Sequence, residues 1–140
     1  MKGGGTGNLK KKSVLDAYAL LAYLTKEIGH AKVKDLLASE DTVIVINSIN
    51  LGEVFYILAR ARSIRAAERF LGVILPSLPI TVLENSTEDV IAAARIKAKH
   101  ALSFVDCFAA ATAIRERAPL VTGDPEFKKV GKALVIDWLG

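Results

Sequence analysis

The sequence predicts an α/β fold, a parallel β-sheet flanked by helices on both faces. Three observations predict it. Short β-branched or apolar runs alternate with segments at helical spacing from Ser13 onward. Those runs rarely alternate with polar residues, as expected of strands buried on both faces. The length of 140 residues suits one domain with one core, and the chain holds no internal repeat.

The elements follow in order. Residues 1–12 are glycine- and lysine-rich and read as a flexible tail, leaving 13–140 as the domain. Ser13-Val14-Leu15 is the first strand, with Asp16 at its carboxyl end and an amphipathic helix over Ala17–Leu24. Ala31–Ser39 is a second short helix, and Thr42-Val43-Ile44-Val45-Ile46 is a buried strand. Asn47-Ser48-Ile49-Asn50 offers several helix caps. The helix that follows, to Arg62, carries the apolar stripe Leu51, Val54, Phe55 and Leu58. Another helix spans Ser63–Leu75 and ends at Pro76 and Pro79. Ile80–Leu83 is a third strand. Thr87-Glu88-Asp89 opens a helix running to Lys99, with acids in its first turn. Ser103–Arg117 is a helix, and Leu120–Thr122 and Leu134–Ile136 are short strands.

Composition narrows the function classes. No apolar run approaches ~18 residues, so no membrane span is expected, and the start lacks an apolar signal core. The single Cys107 excludes an internal disulfide and fits a reducing cytoplasm. The net charge of +4 resides in the tail, which holds Lys2, Lys10, Lys11 and Lys12 and no acid; residues 13–140 are formally neutral. The basic pI alone is therefore weak evidence for nucleic acid.

Four acids recur at one kind of place. Asp16 ends the first strand, and Asp124 follows Leu120–Thr122. Glu53 and Asp106 are expected in the first turns of their helices. In a parallel sheet these strand ends and helix starts share one edge, so distant acids can meet in one crevice. Each position also fits a cap. Asp16 and Asp124-Pro125 suit helix starts, and Asn50–Glu53 and Ser103–Asp106 suit capping boxes. Asp106 fits a mere cap least well, being the only charged side chain from Ala101 to Ile114. Carboxylates gathered in one crevice repel and desolvate one another, and a divalent cation relieves both costs. Hard oxygen donors select Mg²⁺ or Mn²⁺. One Cys and two distant His residues make no zinc site. A carboxylate–metal site of this kind suits phosphodiester hydrolysis.

The blocks Val14-Leu15-Asp16, Asn50-Leu51-Gly52-Glu53, Leu102-Ser103-Phe104-Val105-Asp106-Cys107 and Val121-Thr122-Gly123-Asp124-Pro125 resemble, in order and spacing, the four signature blocks of PIN-domain ribonucleases. More narrowly, the chain resembles the VapC-type toxins of toxin–antitoxin pairs. The resemblance implies a Rossmann-like PIN domain, usually a homodimer, acting as a Mg²⁺- or Mn²⁺-dependent endoribonuclease. It implies metal binding by Asp16, Glu53, Asp106 and Asp124, with Asp16 and Asp106 nearest the main metal. Thr122 and Ser103 are implied as polar residues supporting the acids. A VapB-type antitoxin would insert a basic segment into the acidic crevice. The long tail departs from the family's usual start.

Other residues have plainer readings. Arg60, Arg62, Arg65 and Arg69 form a cluster that suits RNA phosphates or a solvated helix face. Cys107 reads as a small buried residue. Tyr18 and Tyr23 read as helix packing or a dimer face, and Trp138 as an anchor for the last strand. Two rival functions remain: a non-catalytic PIN-like binding module, and a phospho-acceptor receiver domain. The receiver needs an acidic pair after strand one and a late lysine, and neither stands at those places.

Overall fold

The computed structural model of the chain describes residues 10–140. Strand β1 (Lys11–Leu15) leads into α1 (Ala17–Thr25) and α2 (His30–Ala38). Strand β2 (Thr42–Asn47) feeds α3 (Ser48–Ala61) and α4 (Ile64–Arg69), and β3 (Ile80–Leu83) follows. Helices α5 (Thr87–Lys99) and α6 (Phe104–Glu116) precede β4 (Leu120–Thr122). A 3-10 segment (Pro125–Ala133) then reaches β5 (Ile136–Trp138).

The strands form one sheet in the order β3-β2-β1-β4-β5, and every pair is parallel. The chain winds outward from β1 to β3, then crosses back to place β4 and β5 on the other side of β1. The strand order therefore reverses between β1 and β4. An open α/β sheet has its ligand crevice there, beyond the carboxyl ends of the strands.

Side chains along the strands alternate between two cores. Leu15, Ile44, Ile46 and Val121 pack with Leu20, Val33, Val54, Leu58 and Phe70, from α1 to α4 and the turn after it. Val14, Val45 and Leu120 pack on the opposite face with Ala109, Ala110 and Ala113 of α6 and with Phe127. A period of two with both faces covered is why the strands are continuously apolar. The fold class expected from sequence is the one observed. No helix among the described residues is long and apolar enough to cross a membrane.

Three boundaries differ from expectation. β1 begins at Lys11, so Lys11 and Lys12 are strand and not tail; residues 1–9 lie outside the described residues. Lys11 and Lys12 pair with Thr42 and Val43, and Lys12 Nζ meets Glu116 at 2.7 Å. Lysines suit this end because it faces solvent, whereas only Ser13 to Leu15 are buried. The expected Ser63–Leu75 helix is regular only to Arg69. It then widens into a π turn over Phe70–Ile74 and tightens into a 3-10 turn over Leu75–Ser77, where Pro76 ends it. The last strand is Ile136–Trp138, two residues later than expected. Its ladder starts where the Leu120 N–H donates to the Val135 carbonyl, 2.9 Å. Leu134 is a core residue ahead of the strand.

Candidate active site

Asp16 follows β1 at the point where strand order reverses, and its side chain is only 3% exposed. One carboxylate oxygen, Oδ1, accepts the Ala19 N–H at 2.8 Å and so caps α1. The other, Oδ2, accepts the Thr122 hydroxyl at 2.5 Å. The cap expected from sequence is made by one oxygen, and the second oxygen is held by Thr122. Each oxygen retains a further lone pair. Burial raises the Asp16 pKa from 3.8 to about 7. The Thr122 and Ala19 hydrogen bonds oppose that rise, while the charges of Asp106 and Glu53 add to it.

Thr122, the last residue of β4, is fully buried and works in both directions. Its hydroxyl donates to Asp16 and accepts the Asp124 N–H at 3.0 Å. Asp124 caps the 3-10 segment, its Oδ1 accepting the Glu126 N–H at 2.9 Å with Pro125 at the first position. Gly123, between them, lies against the Tyr18 ring in close approach. A Cβ built there would stand 2.4 Å from a ring carbon of Tyr18.

Glu53 and Asp106 come from α3 and α6. α3 starts at Ser48, so Glu53 lies in its second turn and not its first. The capping box expected at Asn50–Glu53 does not form, because the Asn47 side chain caps Asn50 N–H at 2.8 Å. Asp106 is in the first turn of α6 as expected, and its N–H donates to Ser103 Oγ at 3.1 Å. Burial raises the pKa of Glu53, as do the charges of Asp106 and Asp124, and the Asn50 side chain lowers it. Burial likewise raises Asp106, the Ser103 hydrogen bond lowers it, and Asp124 and Glu126 raise it further. The four acids expected from sequence thus lie within reach of one another's fields. Glu126 acts on Asp106 alone among these acids and is itself paired with Lys129.

A buried amide network, missed in the sequence, fixes this geometry. Asn47 Nδ2 donates to Asn50 Oδ1 (2.6 Å), to Thr112 Oγ1 (3.0 Å) and to the Phe108 carbonyl (3.2 Å). Asn50 Nδ2 donates to the Val105 carbonyl at 3.2 Å. The start of the Glu53 helix is thereby bolted to the start of the Asp106 helix. Both asparagines had been legible only as caps. Replacing Asn50 with alanine removes the side-chain bond to the Val105 carbonyl and one of the three acceptors shared by the two Asn47 N–H groups. It is expected to destabilise the fold by about 1–3 kcal/mol in urea unfolding. A change within ~0.5 kcal/mol, the size of an inert surface substitution, would contradict this role.

None of the ion pairs among the described residues includes Asp16, Glu53, Asp106 or Asp124. The nearby lysines are engaged elsewhere: Lys97 Nζ donates to the Leu102 carbonyl (2.6 Å) and Lys129 Nζ to Glu126 (2.6 Å). Among the described residues no three of His, Cys, Asp and Glu stand close enough to form a ready-made metal cage. Like charges gain nothing by converging further on their own. The donor set still fits a hard divalent cation: all oxygen, partly desolvated and without a basic partner. Cys107 offers no alternative chemistry, since burial pushes its thiol pKa up and away from the reactive thiolate.

The family model described as PIN domain matches residues 13–133. Several solved structures share the fold. VapBC2 from Rickettsia felis, bound to a DNA fragment from its promoter, is 21% identical with a TM-score of 0.73, over 90% of this chain and 97% of that one. VapC20 of Mycobacterium tuberculosis, a sarcin–ricin loop cleaving toxin, is 22% identical with a TM-score of 0.71, over 85% and 95%. DNA-bound VapBC from Salmonella typhimurium is 22% identical with a TM-score of 0.69, over 93% and 99%. No match was found among curated proteins.

Proposed function

Because the chain belongs to the PIN-domain family, we propose that it is a Mg²⁺- or Mn²⁺-dependent endoribonuclease serving as the toxin of a VapBC-type pair. One observation carries the reading. Asp16 is buried at the switch point of the sheet, within the fields of Asp106 and Glu53 and with no cationic partner among the described residues. A carboxylate in that setting is relieved by hydrogen bonds, by a proton or by a cation, and the cation is the one of these that supports phosphodiester chemistry.

In this reading Asp16 and Asp106 hold the main metal, and Glu53 and Asp124 supply further oxygens. Thr122 fixes the Asp16 carboxylate and, through the Asp124 N–H, the start of the next segment. Ser103 fixes the first turn of α6 and so the position of Asp106. Mg²⁺ or Mn²⁺ bound there would polarise a phosphoryl oxygen and lower the pKa of the attacking water. The chain's part is to hold these oxygens in a partly desolvated crevice that need not reorganise during reaction. A VapB-type antitoxin with a basic segment complements the same acids. Two of the structural neighbours, from Rickettsia and Salmonella, are themselves VapBC complexes. A homodimer belongs to the same reading.

The test is cleavage of a total-RNA pool by the purified protein with Mg²⁺, Mn²⁺ or EDTA. Discrete fragments are expected with either metal and none with EDTA, and Asp106→Asn is expected to yield none. Intact RNA under every condition would favour a non-catalytic binding module and retire the nuclease reading.

A further inference from the structure

Beside the acids lies a groove of about 540 Å³ that the reading above does not use. Tyr18, Ile28, Gly123, Pro125, Lys128 and Trp138 line it. Its size falls within the ~300–1,000 Å³ typical of sites for small organic groups. Two large aromatic side chains remain open to solvent there, Tyr18 at 48% and Trp138 at 37%. Tyr18 was expected in helix packing or a dimer face, and Trp138 as an anchor for the last strand. The Tyr18 ring is seated directly against Gly123, a position that only glycine leaves open to it. Lys128 Nζ lies 5.5 Å from the centre of the Trp138 ring. None of the ion pairs among the described residues uses Lys128.

None of the acids lines the groove, but two of them stand beside its lining residues in the chain. Tyr18 is two residues from Asp16 on α1, and Gly123 directly precedes Asp124. Two partly open aromatic rings, one of them with an ammonium group over one face, match an unpaired nucleobase and its phosphate next to a phosphodiester-cleaving site. A base stacks on an aromatic face, and a lysine neutralises a backbone charge. A stacked duplex cannot offer its base faces in this way. We infer that this groove binds one unpaired base of the RNA substrate next to the cleaved bond, with Tyr18 and Trp138 as stacking surfaces and Lys128 on the phosphate. The inference rests on the nuclease reading for the identity of the ligand.

Trp138 is the chain's one tryptophan, so its fluorescence reports on the groove directly. The assay uses the full chain carrying Asp106→Asn, in EDTA, titrated with short oligouridylate, short oligoadenylate and a blunt RNA duplex. Single strands are expected to quench Trp138 saturably and the duplex is not. Tyr18→Ala is expected to weaken single-strand binding at least about fivefold, the lower end of one base–aromatic stack, while Tyr18→Phe retains it. Lys128→Gln is expected to lower the slope of log affinity against log salt by about 0.7, as for one phosphate on a single strand. Circular dichroism checks that each variant is folded. No quenching, equal quenching by duplex, or a Tyr18→Ala variant that binds as tightly as its parent would overturn the inference. A Tyr18→Ala variant that changes only the oligomeric state in sedimentation would do the same, by making the groove a contact between copies of the chain. Quenching by single strands with no cleavage by the unmodified protein would keep the groove and retire the nuclease. Cleavage that is indifferent to Tyr18 and Lys128 would do the reverse.

Discussion

Asp16→Asn is expected to yield a protein that is more stable than its parent at about pH 8 and no longer cleaves RNA. The substitution keeps shape. The asparagine oxygen can still accept the Ala19 N–H, and its amide can donate to the Thr122 hydroxyl in place of the bond that Asp16 accepts. What disappears is a buried negative charge. The unfolded chain loses the Asp16 proton near 3.8, whereas the folded chain keeps it to about 7. Between those values the folded state binds more protons than the unfolded state. Stability therefore falls as pH rises through the window and levels off above it. At ~1.4 kcal/mol per unit, the whole drop is about 4 kcal/mol for the metal-free protein. Glu53 and Asp106, also raised, contribute slopes of the same sign. Asp89 and Glu116 are lowered, so their stabilisation is present at neutral pH and lost in acid. Comparing variant with parent cancels Asp89 and Glu116, whereas Glu53 and Asp106, coupled to Asp16, lose part of their own rise in the variant. Urea unfolding in EDTA at about pH 4 and about pH 8 should show Asp16→Asn gaining on its parent as pH rises. A variant less stable than its parent at pH 8 would mean that this carboxylate is not destabilised by burial. Cleavage should fall at least about a thousandfold, because several kcal/mol of charge stabilisation depends on this oxygen pair.

The second large effect concerns metal. Adding Mn²⁺ to the EDTA-treated protein at pH 8 should raise its melting temperature substantially. A ligand at a hundred times its Kd contributes about 2.7 kcal/mol to the folded state. For a chain of this length that corresponds to a rise of roughly 8 °C or more. The rise should shrink toward pH 5, where Asp16 holds a proton that competes with the cation. It should be small or absent in Asp16→Asn and Asp106→Asn. A melting temperature indifferent to Mn²⁺ at pH 8 would remove the metal from the reading. An equal rise in both variants would place the metal somewhere other than these acids.

The fold was readable because the strands are short apolar blocks with no polar alternation, and only a doubly covered parallel sheet buries such blocks well. The nearness of Asp16, Glu53 and Asp106 was readable because that topology brings strand ends and helix starts to one edge. Two kinds of feature were not. Lys11 and Lys12 carry no apolar signal, since backbone pairing at the solvent end of a strand asks nothing of the side chain. The Asn47–Asn50–Thr112 network joins residues more than sixty positions apart, and local patterns cannot show a bond of that kind. The capping box that Glu53 also fitted does not form, because Asn47 stands one position before the helix and takes that role first.

The Asp16–Thr122 hydrogen bond spans 106 residues of sequence. β1 lies at the centre of the sheet, yet its partner β4 is among the last strands made. During synthesis at ~5–20 residues per second, several seconds therefore separate the emergence of Asp16 from that of Thr122. For that interval the growing chain has its first acid and no assembled crevice. Pairing across so long a loop is also slow to find once both ends exist. The order in which the strands are laid down thus keeps the Asp16 carboxylate without its Thr122 partner until β4 has emerged, more than a hundred residues after β1.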